Sequence, residues 1–170
     1  MSPINAQNRV LLTALVEELN AHGPRLPVYW GNRNWHPLLV DAVRQMTEDG
    51  MRHALALVTS AFGSYPGCRQ YLEDIEHARR EVGPVAPHIQ KLRLFYNHPG
   101  FIESMANRVV AVLSEVPPDR RRQARLIYTA HSIPVAMAQN SPYEHQLREA
   151  CRLVTEHVKS CAVSPDDLPS

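Results

Sequence analysis

Leu126-Ile127-Tyr128-Thr129-Ala130-His131-Ser132-Ile133-Pro134 changes character halfway along its length. Arg125 to Tyr128 is apolar, partly β-branched and preceded by a polar, basic run, which predicts a short buried strand. Ser132 suits a helix N-cap, and Pro134 suits a first helical turn. His131 then falls in the tight turn between the C-terminal end of a strand and the start of a helix. In open parallel α/β sheets, ligands bind at that edge. A neutral imidazole held there can ligate a metal or accept a proton near neutral pH, and it can equally serve as a cap.

The same alternation recurs upstream. Ser2-Pro3 opens a helix whose Leu12, Leu15, Val16 and Leu19 share one face, and Gly23-Pro24 ends it. Leu26 to Trp30 reads as a strand, followed by a polar turn carrying Arg33 and Trp35. Pro37 starts a helix with Leu39, Ala42, Val43 and Met46 on its inner side, closed by Gly50. Ala54 to Thr59 reads as the next strand, and Ser60 to Gly67 as a Gly/Ser/Pro-rich loop. A helix from about Cys68 places Tyr71, Ile75, Ala78 and Val82 together. Leu92 to Phe95 predicts a third strand, and Tyr96-Asn97-His98-Pro99 caps a helix with Ile102, Met105, Val109, Leu113 and Val116 inward. The hydrophilic run Pro117–Gln123 carries Arg120-Arg121-Arg122, read as a solvated loop and a domain boundary between residues 1–116 and 124–170. Beyond His131 come a short helical piece and a helix from Tyr143 to Ser160, with Leu147, Ala150, Cys151, Val154 and Val158 inward.

Strand and helix alternate four times with short loops, the pattern of an α/β fold with a doubly wound parallel sheet built from βαβ units. Loops 31–36, 60–67, 96–98 and 129–133 each follow a strand and precede a helix. Right-handed crossovers put such loops on one sheet edge. Arg33, Phe62, Tyr65, His98 and His131 are therefore expected around a common crevice. That set suits a planar, apolar, carboxylate-bearing ligand and a metal. The chain has no GxGxxG, Walker or Gly-x-Ser-x-Gly motif, which disfavours dinucleotides, nucleotides and serine-hydrolase chemistry.

The 170 residues carry a formal net charge of +1, so nothing in the charge points to a nucleic-acid partner. The 3 cysteines form no CxxC pair, which fits a reduced, cytoplasmic setting rather than a disulfide framework. No apolar run reaches the roughly 20 residues of an integral membrane segment, and without a basic region followed by an apolar stretch at the N-terminus no secretory signal is expected.

Several segments together resemble the ferrochelatases of heme biosynthesis, in their actinobacterial form. They are Ser2-Pro3-Ile4-Asn5-Ala6-Gln7-Asn8-Arg9, the run from Val28 to Pro37, and Tyr128-Thr129-Ala130-His131-Ser132-Ile133-Pro134. The runs Thr59–Tyr65 and Cys68–Asp74 also fit, in the same order and spacing. The resemblance implies a chelatase that inserts ferrous iron into coproporphyrin III to give coproheme. It implies that His131 is the metal-site and catalytic histidine, and that Ser2, Arg33 and Tyr71 contact the porphyrin. It further implies that Cys68 could be one ligand of a two-iron two-sulfur cluster found in some members. Ferrochelatases are about twice this long, with a first strand and helix ahead of the segment matching Ser2 and a catalytic glutamate well beyond the His131 helix. On that resemblance the chain is expected to be an internal fragment, inactive alone. A non-catalytic tetrapyrrole- or iron-binding module is the alternative.

Overall fold

The computed structural model of the chain describes residues 3–64, 69–121 and 123–161. Its sheet is small. β1 (His53–Ala56) and β2 (His88–Lys91) pair as two strands. The His88 N–H donates to the Arg52 carbonyl and the Leu92 N–H to the Ala56 carbonyl, the same offset twice, so the strands are parallel. The connection between them holds α3 (Tyr71–Val82), which makes a βαβ unit. The α/β class therefore holds.

The chain divides into two compact units, Met1–Leu55 with Leu72–Gln90, and Ala56–Tyr71 with Lys91–Ser170. The first contains α1 (Ile4–His22) and α2 (Leu39–Glu48). In α2, Ala42 and Val43 are buried as the periodicity requires, and the Asp41 carboxylate reaches back to accept the Leu38 N–H. Gly50 then takes φ +73°, the left-handed residue that stops the helix. Gly31 sits against the start of α2. A Cβ there would lie 2.8 Å from the Leu39 Cα, so only glycine permits this approach. Along α3, Ile75 and Ala78 are buried, matching the expected face.

The second unit is built on two helices, α4 (Pro99–Glu115) and α7 (Tyr143–Cys161). Ile102 and Ala106 of α4 meet Ala150, Val154 and Val158 of α7 in the hydrophobic core. Phe62, Phe101, Met105, Val109 and Leu113 pack around them. The small Ala106 and Ala150 let the helix axes come close. Between them lie the short α5 (Pro118–Arg121) and α6 (Val135–Gln139). Cys151 is half-buried beside this core, and burial pushes its thiol pKa up.

Four expectations are corrected. Leu26–Trp30 and Arg125–Tyr128 are irregular and join no ladder among the described residues. Leu26 is 53% exposed and Ile127 is 83% exposed. An apolar extended run becomes a strand only where a neighbour offers N–H and C=O groups, and pattern alone does not supply one. The third strand falls four residues early, at His88–Lys91 instead of Leu92–Phe95, because the ladder with β1 sets the register. Arg121 is no solvated loop residue. Its guanidinium donates to the Val116 and Ser114 carbonyls and closes the C-terminal end of α4. The helix after His131 starts at Val135, with Pro134 as N-cap, so Ser132 caps nothing. The residue before a proline is disfavoured in the helical region, and Ile133 lies outside the helix.

The Ala106 side chain has no exposed surface. Ala106→Leu should therefore overpack the α4–α7 contact and destabilise by about 1–3 kcal/mol. On the solvent side of the same helix Val112 is 62% exposed, and Val112→Ala should stay within ~0.5 kcal/mol. Urea titration of both variants reads the difference.

Candidate functional site

The chain forms neither helix nor strand from Arg125 through Pro134, whose φ −53° and ψ 139° keep it out of the helix until Val135. His131 lies on this stretch with its side chain exposed. Its backbone is held instead: the Tyr143 hydroxyl donates to the His131 carbonyl at 2.9 Å. Tyr128 is tied in the same way, its hydroxyl 2.9 Å from that of Thr155. Thus α7 supplies both clamps on the turn.

Tyr143 also joins an aromatic cluster. Phe62 meets Tyr143 edge-on at 6.2 Å between centroids, and meets Phe101 at 6.4 Å. Phe95 meets Phe101 at 5.3 Å. Edge-to-face pairs of this kind fix ring orientation as well as burying area. The loop after β1, the start of α4 and the His131 turn therefore share one anchor. A second link lies beside it. The Gly63 N–H donates to the Gln146 Oε1 at 2.6 Å, in a buried position. A Cβ on Gly63 would meet Gln146, Leu94 and Pro142 at 3.1 Å each.

A cleft of about 500 Å³ opens among Ser64, Arg69, Ala136, Met137, Asn140, Ser141 and Pro142. Its wall is mostly apolar, from α6 and Pro142. The Ser141 hydroxyl is buried there without a hydrogen-bond partner among the described residues. An apolar wall with few polar groups is the usual make-up of a small-molecule site.

The expected residues are placed as follows. Phe62 and His131 come together through Tyr143. His98 is the N-cap of α4, and its Nδ1 accepts the Gly100 N–H at 3.2 Å. Tyr71 is the first residue of α3 and is half-buried. Arg33 belongs to the first compact unit, where its Nε donates to the Asp74 carboxylate. That pair is partly buried and binds the 31–36 loop to α3. Ser2, Tyr65 and Cys68 lie outside the described residues. Among the described residues, no group of three or more His, Cys, Asp or Glu side chains could hold a metal ion.

Sequence reasoning missed Gln146, Tyr143, Arg69 and Ser141. Gln146 had a signal: it precedes Ala150, Val154 and Val158 at steps of four, the row that is buried in α7. An amide at the head of an apolar row needs a partner, and Gly63 is that partner.

The ferrochelatase family model matches residues 1–165. A ferrochelatase of Rhodopirellula baltica is 51% identical over 156 residues, covering 92% of this chain and 44% of that protein. Coproporphyrin III ferrochelatases of Nocardia farcinica and Frankia alni are 50% and 47% identical, covering 90% and 93% of this chain. They are covered over 46% and 42% of their own length. The chain thus spans somewhat under half the length of the curated relatives it matches.

Gln146→Ala would leave the buried Gly63 N–H without its acceptor. The expected loss is about 1–3 kcal/mol of stability, with faster amide exchange at Gly63. Unchanged exchange there would show that another group accepts the bond.

Proposed function

Because the chain belongs to the ferrochelatase family, we propose that the whole protein inserts Fe2+ into coproporphyrin III, with His131 on the metal side. The likeness to named coproporphyrin III ferrochelatases over nine-tenths of the chain carries this reading. In the reaction two pyrrole N–H protons leave and Fe2+ takes their place, so charge balances. A neutral imidazole can hold the incoming ion or receive a departing proton. His131 suits either task, since its ring is exposed while its backbone is clamped by Tyr143. A ring that meets the metal from a fixed backbone needs little reorganisation on binding.

The proposed porphyrin contacts are Ser2, Arg33 and Tyr71. Arg33 is an always-charged guanidinium that can pair a propionate, and Asp74 orients it. The same reading includes a doubly wound parallel sheet, a division into residues 1–116 and 124–170, a cytoplasmic setting, and Cys68 as one ligand of a two-iron two-sulfur cluster. A cluster normally takes four thiolates, so Cys68 would need partners from elsewhere in the whole protein. Among the described residues no helix is long and apolar enough to cross a membrane.

In the whole protein, His131→Ala should cut iron insertion by ~10²–10⁴ while porphyrin binding, read by Soret absorbance, is largely retained. Near-normal turnover would remove His131 from the metal side. A protein that binds coproporphyrin but never metallates it, even unsubstituted, would be a binding module instead.

Arg33→Ala should weaken porphyrin binding more than it slows insertion, as a raised KM with little change in kcat. An unchanged KM would assign Arg33 to holding α3 alone.

A further inference from the structure

β1 and β2 begin with the same residue type, and the ladder sets those residues side by side. The His88 N–H bonds to the Arg52 carbonyl, which makes His53 the register neighbour of His88. Both strands show the same alternation of exposed and half-buried residues, starting exposed. His53 and His88 therefore project from one solvent-facing side. Their ring centroids are 6.0 Å apart and the rings are tilted by 60°. Two imidazoles sharing one ion through metal–nitrogen bonds of about 2.0–2.1 Å have centroids roughly 5–6 Å apart. The observed spacing reaches that geometry by small side-chain rotations.

We infer that His53 and His88 form a two-imidazole site for a borderline divalent transition-metal ion such as Zn2+, Cu2+, Ni2+ or Fe2+. Nothing assigns either residue a role in the porphyrin reaction proposed above. Adjacent parallel strands hold the two Cβ atoms at a fixed distance, so little ordering cost remains when the ion binds. Leu55 and Gln90 continue the same face and bring no carboxylate. Neutral nitrogen donors without carboxylates favour these ions over Mg2+ and Ca2+. Solvent fills the remaining coordination positions, as the described residues supply no third side chain.

The test is calorimetric titration of Zn2+ into the untagged full chain carrying His131→Ala. Its outcome is then independent of the iron-insertion reading. One Zn2+ should bind, and His53→Gln or His88→Gln should each weaken it at least about tenfold. Zn2+ should raise the melting temperature of the parent and of neither variant. A second measurement needs no substitution at the pair. Substoichiometric Co2+ should broaden the ring resonances of His53 and His88 before those of any other histidine. Unchanged zinc affinity in both variants, or earlier broadening of other histidines, would overturn the site.

Discussion

The bond from the Gly63 N–H to the Gln146 carboxamide is where the second unit is pinned. It is buried, and a Cβ on residue 63 would stand 3.1 Å from Gln146, so the close approach of α7 favours glycine there. Around it stand Phe62, Phe101 and Tyr143, which turn one hydrogen bond into a junction of three chain segments. A buried polar pair of this kind is strong when complete and costly when broken, because the surroundings offer no water to replace it. The α4–α7 core supplies the apolar area, while the Gly63–Gln146 pair sets where the loop after β1 lies along α7. The clamp on His131 depends on that placement, since Tyr143 is both the Phe62 neighbour and the donor to His131.

The first unit uses the same device with different chemistry. Gly31 lets the backbone before it approach α2, and Arg33 two residues on is held by Asp74 of α3. A glycine at a close approach recurs at both loops. His131 is exposed, whereas Arg33 is partly buried. His131 is fixed through its carbonyl and Arg33 through its Nε.

Much of the helical layer was legible in advance. The faces of α2, α3 and α4 follow from apolar spacing alone, because a helix closes its own hydrogen bonds and periodicity then selects the buried side. Caps were legible where side chain and backbone bond locally, as at His98, and misread where a proline intervened, as at Ser132. The strands were less legible. Leu26–Trp30 and Arg125–Tyr128 have strand-like composition, yet their hydrogen-bonding groups need partners distant in sequence. The polar His88–Lys91 is paired in place of the apolar Leu92–Phe95 for the same reason: a ladder is a property of two segments.

The sequence by itself determined the family, through the ordered runs around Ser2, Trp30, Cys68 and His131, and with it the chemistry to expect of His131. It also determined the longer helices, whose bonds and faces are local, while the short α5 fell where a loop was expected. Only the tertiary structure decided that Gln146 is buried as an acceptor, that Arg33 is paired with Asp74, that Arg121 closes α4, and that His53 stands beside His88. Each of these joins residues whose approach is set by backbone packing and strand register. Those quantities depend on three-dimensional distance, and spacing along the chain does not encode them.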